Sequence, residues 1–302
     1  AAAAAAAASC HTMREGDGGV CMREINWARH EGYAVHPEWY PGLNPDTSSL
    51  AEWQFQVWNS THPKCPRPCT VPARGTWCRD GSPPQLWAPA AAGASMTVKV
   101  LSYNLFWWHL YGVEGGRGDS AGHLIRSSAQ PEPYDVMGFQ ECEDPERVLG
   151  PSGLLHEYTA FQGDHAICMA YRTSAWSLLQ RGETDVAQDM PTEFYGRRGT
   201  QWMRLQHRAS GRNLFFVNHH GPLSVNSGGT CGGQATAYKL VELISAKADP
   251  GEAIVLAGDF NAGQASMTIW NLKTRLNAVI SGTVHNGIDN IFTNVDRGSV
   301  LN

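Results

Sequence analysis

The sequence predicts an α+β fold, two packed sheets with helices outside them, carried behind a small disulfide-held module. Three observations predict it. Short apolar runs of strand length recur from residue 96 onward, alternating with a few helical patterns, and polar residues gather at the ends of the apolar runs. The cysteines are uneven: Cys10, Cys21, Cys65, Cys69 and Cys78 lie in the first 80 residues, and Cys142, Cys168 and Cys231 are spread through the rest. Between the two textures, residues 81–95 are rich in Gly, Ser, Pro and Ala, the composition of a linker.

The chain has 302 residues, enough for one large domain plus a small module. Hydrophobic residues make up 42%, so a core can be buried. Net charge is −5, and no run of five Lys or Arg occurs. This counts against a dedicated nucleic-acid or membrane-surface binder, although a local basic groove is compatible with an acidic protein. No run of 18 apolar residues predicts a transmembrane helix. Residues 1–8 are all alanine, are expected to stand for unassigned sequence, and are left out of the fold reasoning.

Residues 9–80 form the first module. Prolines at 37, 41, 45, 63, 66 and 68 break regular periodicity, and Trp27, Trp39, Tyr40, Trp53 and Trp58 supply large apolar surfaces. One helix is expected near Ser48 to Val57, capped by Ser48 or Ser49, with Leu50, Trp53 and Val57 on one face. A core this small needs staples, and the cysteines supply them. Five is odd, so one cysteine is free, pairs across modules or pairs outside the chain. The Cys65-Pro-Arg-Pro-Cys69 stretch lacks two further well-spaced ligands for zinc and reads as structural. With the sequon Asn59-Ser60-Thr61, this cysteine usage points to an extracytoplasmic compartment, either secreted or an organelle lumen. The stretch His36-Pro-Glu-Trp-Tyr-Pro-Gly with its flanking cysteines resembles a cysteine-rich module of dinoflagellate algal proteins, which implies an accessory role. A sugar- or matrix-binding role for the clustered aromatics is the alternative to their filling a core.

In residues 96–302, strands are expected at 97–103, 135–139, 166–171, 201–207, 214–219, 253–257 and 288–292. The clearest helix is 233–248, where Ala237, Leu240, Val241, Ile244 and Ala248 recur at helical spacing, and a second begins with Ser266 as its cap. Polar clusters follow the strands in order: Asn104, then Gln140-Glu141, then Asn218-His219-His220, then Gly258-Asp259-Phe260-Asn261, then Ile288-Asp289. A strand end fixes a side chain better than a free loop does. Oxygen donors such as Glu141 and the Asn104 amide suit hard Mg²⁺ or Mn²⁺. Asp259 is placed to activate water, Asn261 and His220 to donate to a phosphoryl oxygen, and Asp289 to orient a histidine. Each cluster alone reads as an ordinary turn or solvated end; their joint order is what carries the chemistry.

This ordered set resembles the endonuclease/exonuclease/phosphatase (DNase I-like) family, from Thr97 to about Val295, with Gly-Asp-Phe-Asn its most specific piece. The resemblance implies a four-layer αββα sandwich. It implies that Asn104 and Glu141 hold the metal, Asp259 activates water, and Asn261 and His220 contact the scissile phosphate. Arg204, with Trp202 beside it, fits the family's substrate-facing region loosely; burial in the core is the plainer reading of Trp202. Arg197, Arg198, Arg208 and Arg212 read as solvated charges. The family pattern continues into a Ser-Asp-His motif, and the sequence stops at Asn302 before one, so residues 96–302 are expected to be C-terminally incomplete. The function expected is a Mg²⁺-dependent phosphoesterase acting on a phosphate ester. The alternative is an inactive subunit using the same fold, with protein partners in a large complex.

Overall fold

The computed structural model describes residues 10–36, 40, 43, 45–46, 48–58, 64–66, 68–69, 78, 82–90, 95–190, 193, 196–283 and 286–301. The first module is helical. Helix α1 (Val20–Trp27) runs through a π-turn (Ala28–Gly32) into the single turn α2 (Tyr33–Val35), and α3 (Leu50–Trp58) packs across α1. Of these only α3 was expected, because charged residues interrupt the apolar spacing of 20–35. Ser49 caps α3 reciprocally: its Oγ accepts from Glu52 N at 3.3 Å, and the Glu52 carboxylate accepts from Ser49 N at 2.6 Å.

Trp53 is fully buried, with Tyr33 edge-on to it at 5.9 Å and Tyr40 tilted against it at 5.3 Å. These aromatics therefore fill the module's core. The buried Gln54 amide ties distant strands of chain, donating to His11 O and Pro66 O and accepting from Met13 N. Disulfides Cys10–Cys69 and Cys21–Cys65 close the unit, so both cysteines of the Cys65–Cys69 pattern are structural. The odd fifth cysteine pairs across modules, as Cys78–Cys231. The sequon at 59–61 and most of the stretch 37–42 lie outside the described residues.

The expected linker does not hang free. Leu86 and Trp87 pack on the second unit's core, Arg275 donates to Pro83 O, Asn294 to Trp87 O, and Ala90 N to Gly251 O. The apparent spacer is a strap laid along the larger domain.

Among the described residues that domain contains ten strands: β1 (Val100–Asn104), β2 (Val136–Gln140), β3 (Tyr158–Gln162), β4 (Ile167–Arg172), β5 (Trp176–Gln188), β6 (Arg197–His207), β7 (Asn213–His220), β8 (Ala253–Asp259), β9 (Asn277–Ser281) and β10 (Asp289–Thr293). One sheet has the order β1-β2-β4-β3 and the other β5-β6-β7-β8-β10-β9. They pack face to face through Val136, Met169, Met203, Phe216, Val255 and Ile291. Helices α4 (Ser120–Ser128) and α5 (Pro145–Leu149) cover the first sheet, and α6 (Gly233–Lys247) and α7 (Met267–Lys273) the second. The result is the αββα sandwich expected. Burying a side chain such as Phe215 or Phe216 contributes about 1.5–3 kcal/mol.

Helix α6 ends within a residue of its expected bound, and Ser266 Oγ caps α7 by accepting from Ile269 N at 3.2 Å. Strands β3, β5 and β9 were not expected. They lie on sheet edges, where a polar half-exposed run such as Gln180-Arg-Gly-Glu-Thr-Asp still pairs but does not look apolar. The parallel pairs matter most for the site. β1 runs parallel to β2 and β7 to β8, with β1 and β2 over β8 and β7. All four therefore end at one rim of the sandwich.

Candidate active site

The rim collects the residues that the sequence set apart. Asn104 closes β1, and Glu141 follows β2 at once. Asn104 Nδ2 donates to Asp259 Oδ2 at 2.9 Å and lies 3.2 Å from Glu141 Oε1, while its Oδ1 accepts from Phe106 N at 2.9 Å. One amide thus bridges two carboxylates from opposite sheets. Glu141 adopts a left-handed backbone (φ 51°), uncommon for a residue with a side chain and frequent at functional sites. Its successor pins the turn: Cys142 N donates to Ala166 O at 2.8 Å, and Cys142 is disulfide-bonded to Cys168 on β4. Burial raises the Glu141 carboxyl above its usual range, the nearby Asp259 adds to the effect, and the Asn104 hydrogen bond and the Arg198 charge oppose it.

Asp259 ends β8 and Asn261 follows it in an Asx-turn. Asp259 Oδ1 accepts from Asn261 N at 2.8 Å, Asn261 has φ 46°, and its Nδ2 donates to Gly221 O at 3.0 Å. Glycine is required at 221, because an added Cβ would overlap the Phe260 carbonyl. Asp289, first in β10, stands opposite Asp259 in the antiparallel register.

His220 is level with Asp259 in the parallel β7–β8 register and is buried. Its Nδ1 lies 3.2 Å from Arg198 Nη1. Arginine only donates, so Nδ1 is the acceptor and the ring proton sits on Nε2. Burial, then the charge of Arg198, push the His220 pKa well below its usual value, so the ring is a neutral donor. Arg198 is in turn anchored by Asp189, Nε to Oδ1 at 2.8 Å, with side chains 7% and 1% exposed. Arg198 is therefore no solvated charge. A charge pair this buried is unusual, and it is the part of the site that sequence reasoning missed. The one available signal was its position on the strand leading to Trp202, at the end that faces the histidines.

The neighbouring His219 has a different part. Its Nδ1 lies 3.1 Å from Gly199 O and 3.2 Å from Thr200 Oγ1, its ring meets Phe260 edge-on, and burial lowers its pKa to about 4. It is a neutral core residue. Asn218 is also internal: its Nδ2 donates to Phe139 O at 2.9 Å and Cys168 O at 3.0 Å, and its Oδ1 accepts from Gln140 Nε2 at 2.6 Å. It stitches the two sheets together directly beneath the rim. Gly138 leaves room for this, since a Cβ there would lie 2.8 Å from Asn218 Oδ1.

Arg204 is not brought to this cluster. It lies four residues further along β6 than Thr200, about 13 Å at strand rise. Its guanidinium is engaged by Glu252 at 2.9 Å, Asp249 at 3.0 Å, Gln180 at 2.8 Å and Lys247 O at 2.7 Å. That network replaces the substrate contact expected of it. Trp202 is buried in the core, as the plainer reading had it. Arg197 is exposed but paired with Asp185 at 3.0 Å.

Comparison with known proteins agrees with this architecture. The model of the Endonuclease/Exonuclease/phosphatase family matches residues 113–299, taking in Glu141, His220, Asp259, Asn261 and Asp289. An endonuclease/exonuclease/phosphatase family protein from Bacteroides thetaiotaomicron is similar in structure at 19% identity and a TM-score of 0.54, covering 67% of this chain and 84% of that one. The mannosyl-6-phosphatase of the same organism is similar at 20% identity and a TM-score of 0.52, covering 65% and 85%. A β-hairpin deletion mutant of beta toxin from Staphylococcus aureus is similar at 14% identity and a TM-score of 0.53, covering 68% and 91%. At these identities the likeness is one of fold. No curated protein sequence matches the chain.

Proposed function

Because the chain belongs to the endonuclease/exonuclease/phosphatase family, we propose that it hydrolyses phosphate esters with the aid of a divalent cation, Mg²⁺ or Mn²⁺, at the meeting point of Asn104, Glu141 and Asp259. The observation that carries this reading is the single amide of Asn104 bridging the carboxylates of Glu141 and Asp259 beside His220. The carboxylates of Glu141 and Asp259 suit a hard cation and repel each other in its absence, whereas the Asn104 amide presents its NH2 to them and its Oδ1 to Phe106 N, so it would turn over to offer its oxygen to the ion. No group of three or more His, Cys, Asp or Glu side chains poised for a metal occurs among the described residues. Such a sparse set suits an ion that keeps several waters and takes oxygens from the substrate.

Asn104 and Glu141 would hold the cation, whose chemistry when bound is to polarise the phosphoryl group. Asp259 retains acceptor capacity beyond Asn104 and Asn261, and orients and deprotonates the attacking water. His220 Nε2–H and the second N–H of Asn261 donate to phosphoryl oxygens as their charge grows. Arg198 keeps His220 in the donating tautomer and sets a positive charge behind it. Asp289 acts from the neighbouring strand, as a positioning group.

The test is hydrolysis of an aryl phosphodiester and an aryl phosphomonoester by the full chain with Mg²⁺, with EDTA and Asp259→Asn as controls. Loss of turnover in both controls is expected, at about 10²–10⁴-fold for the variant. Turnover unchanged by Asp259→Asn would remove the assignment. A second reading, a non-catalytic subunit on the same scaffold, is favoured by the exposed Trp27, Trp108 and Trp270. A folded protein without turnover on any ester would select it. The four disulfides support work in an oxidising, extracytoplasmic compartment, and the first module is proposed as an accessory unit there.

A further inference from the structure

Beyond β7, which ends in His220, the second sheet continues into β6 and β5. β4 lies over β7 and β6, so the next position along the rim brings the β3–β4 turn, with Asp164 and His165, against the ends of β5 and β6. Between them is a cavity of about 140 Å³, lined by Asp164, His165, Glu183, Thr184, Asp185 and Gly199 among others. It has room for about five waters at ~30 Å³ each, or for one small ring or short polyol. Its Gly199 wall follows directly on Arg198, whose Nη1 lies 3.2 Å from His220 Nδ1.

The cavity is built rather than incidental. His165 and Ala166 both have left-handed backbones, φ 59° and 54°, a local strain that the surroundings must hold. The His165 ring lies on Gly199, where a Cβ would come within 2.7 Å of it. His165 Nε2 donates to Asp185 Oδ1 at 2.7 Å, and Arg197 Nη1 pairs with Asp185 Oδ2 at 3.0 Å. Burial alone would raise the Asp185 carboxyl, but the hydrogen bonds from Arg197 and His165 outweigh it and hold the group below its usual range. Glu183 Oε2 accepts from Asp164 N at 2.8 Å.

The chemistry of the walls selects the ligand. Three carboxylates face the cavity, so a second phosphate is excluded by charge. Acceptors outnumber donors, which suits a group carrying several hydroxyls. A cationic group is served poorly, because Asp185 is already paired and no Phe, Tyr or Trp face lines the cavity. We propose that this cavity is the subsite for a polyol, such as a sugar, esterified to the phosphate, with His165, Asp185 and Glu183 binding its hydroxyls. The proposal rests on the phosphate-ester reading above.

The experiment compares glucose 6-phosphate, mannose 6-phosphate and glycerol 2-phosphate with p-nitrophenyl phosphate and phosphocholine, using the full chain, His165→Ala, Asp185→Asn and Glu183→Gln. The variants are expected to raise KM for the polyol esters about tenfold, the loss of one charge-assisted hydrogen bond, with kcat and the aryl ester unaffected. Equal losses on every ester would mean a structural role and overturn the proposal. A preference for phosphocholine that Asp185→Asn abolishes would make the cavity an ammonium site and overturn it too. Saturation-transfer NMR of glucose, mannose and glycerol on the Asp259→Asn chain decides the case without turnover. Signals lost on adding His165→Ala support the subsite even if no ester is hydrolysed, and no signal at all from the Asp259→Asn chain overturns it even if the aryl ester is.

Discussion

Arg198 Nη1 lies 3.2 Å from His220 Nδ1 and leaves the imidazole only one nitrogen, Nε2, from which to donate. The arginine is buried and anchored to Asp189, which also accepts from Leu223 N at 2.7 Å. Arg198→Ala should therefore free His220 to change tautomer and to protonate. We expect kcat to fall about 10²–10³-fold, the scale for one misplaced transition-state donor. A new ionisation should also enter the acid limb of the pH–rate profile, since the charge that helps hold the histidine neutral is gone. Arg198→Lys should restore little, because a point charge does not reproduce the two-sided fork. A pH profile unchanged in shape would show that Arg198 serves packing alone.

Stability should fall on the acid side for a defined reason. His219 has its folded pKa lowered to about 4 by burial, against about 6.5 in an unfolded chain, and His220 is lowered too. A depressed histidine is neutral when folded, so below about pH 6.5 the unfolded state takes up protons that the folded state refuses. Its contribution is lost progressively from about pH 6.5 down to about 4, on the order of 3 kcal/mol for His219. The raised carboxyls of Glu141 and Asp189 act in the opposite sense, regaining some stability as pH falls through their folded values. Urea unfolding at pH 7 and pH 4.5 reads the slope, and His219→Gln should flatten it.

Asn218→Leu tests the stitch between the sheets. The substitution removes the two hydrogen bonds that Asn218 Nδ2 makes to Phe139 O and Cys168 O, at about 0.5–1.5 kcal/mol each. It also loosens the end of β2, so the Mg²⁺ concentration for half-maximal turnover should rise together with the loss of stability. Stability lost with the Mg²⁺ dependence unchanged would separate the stitch from the site.

The cross-module disulfide is testable on its own. Cys78 and Cys231 are 153 positions apart, and replacing both by Ser should cost about 3–5 kcal/mol, read as a lower urea midpoint. The Cys10–Cys69 and Cys21–Cys65 bridges should survive, which mass mapping checks. An unchanged midpoint would mean that the strap of residues 82–90 already holds the two units together.

Much of this molecule is legible in its sequence, and the exceptions have physical causes. Asn104, Glu141, His220, Asp259 and Asn261 announce themselves because each ends or follows a continuous apolar strand, and the parallel pairs send those ends to one rim. Helix α6 is legible because its apolar stripe is complete. β5 is not, because its outer half is an exposed edge whose backbone pairing leaves no trace in side-chain polarity. Arg198 and Asp189 are hidden for the converse reason: charged residues are normally solvated, and only the fold shows that these two are shut in together. Arg204 misleads in the same way, its charge serving a network with Glu252 and Asp249 instead of a ligand.

The bridge between Cys142 and Cys168 has a practical side. Glu141 is the residue next to it, and its unusual backbone is held by that fastening. A preparation made in a reducing cytoplasm would present the same sequence with this turn untethered. Silence in an assay of such material would describe the host's chemistry and not the protein's, so the chain should be matured under oxidising conditions before its catalysis is judged.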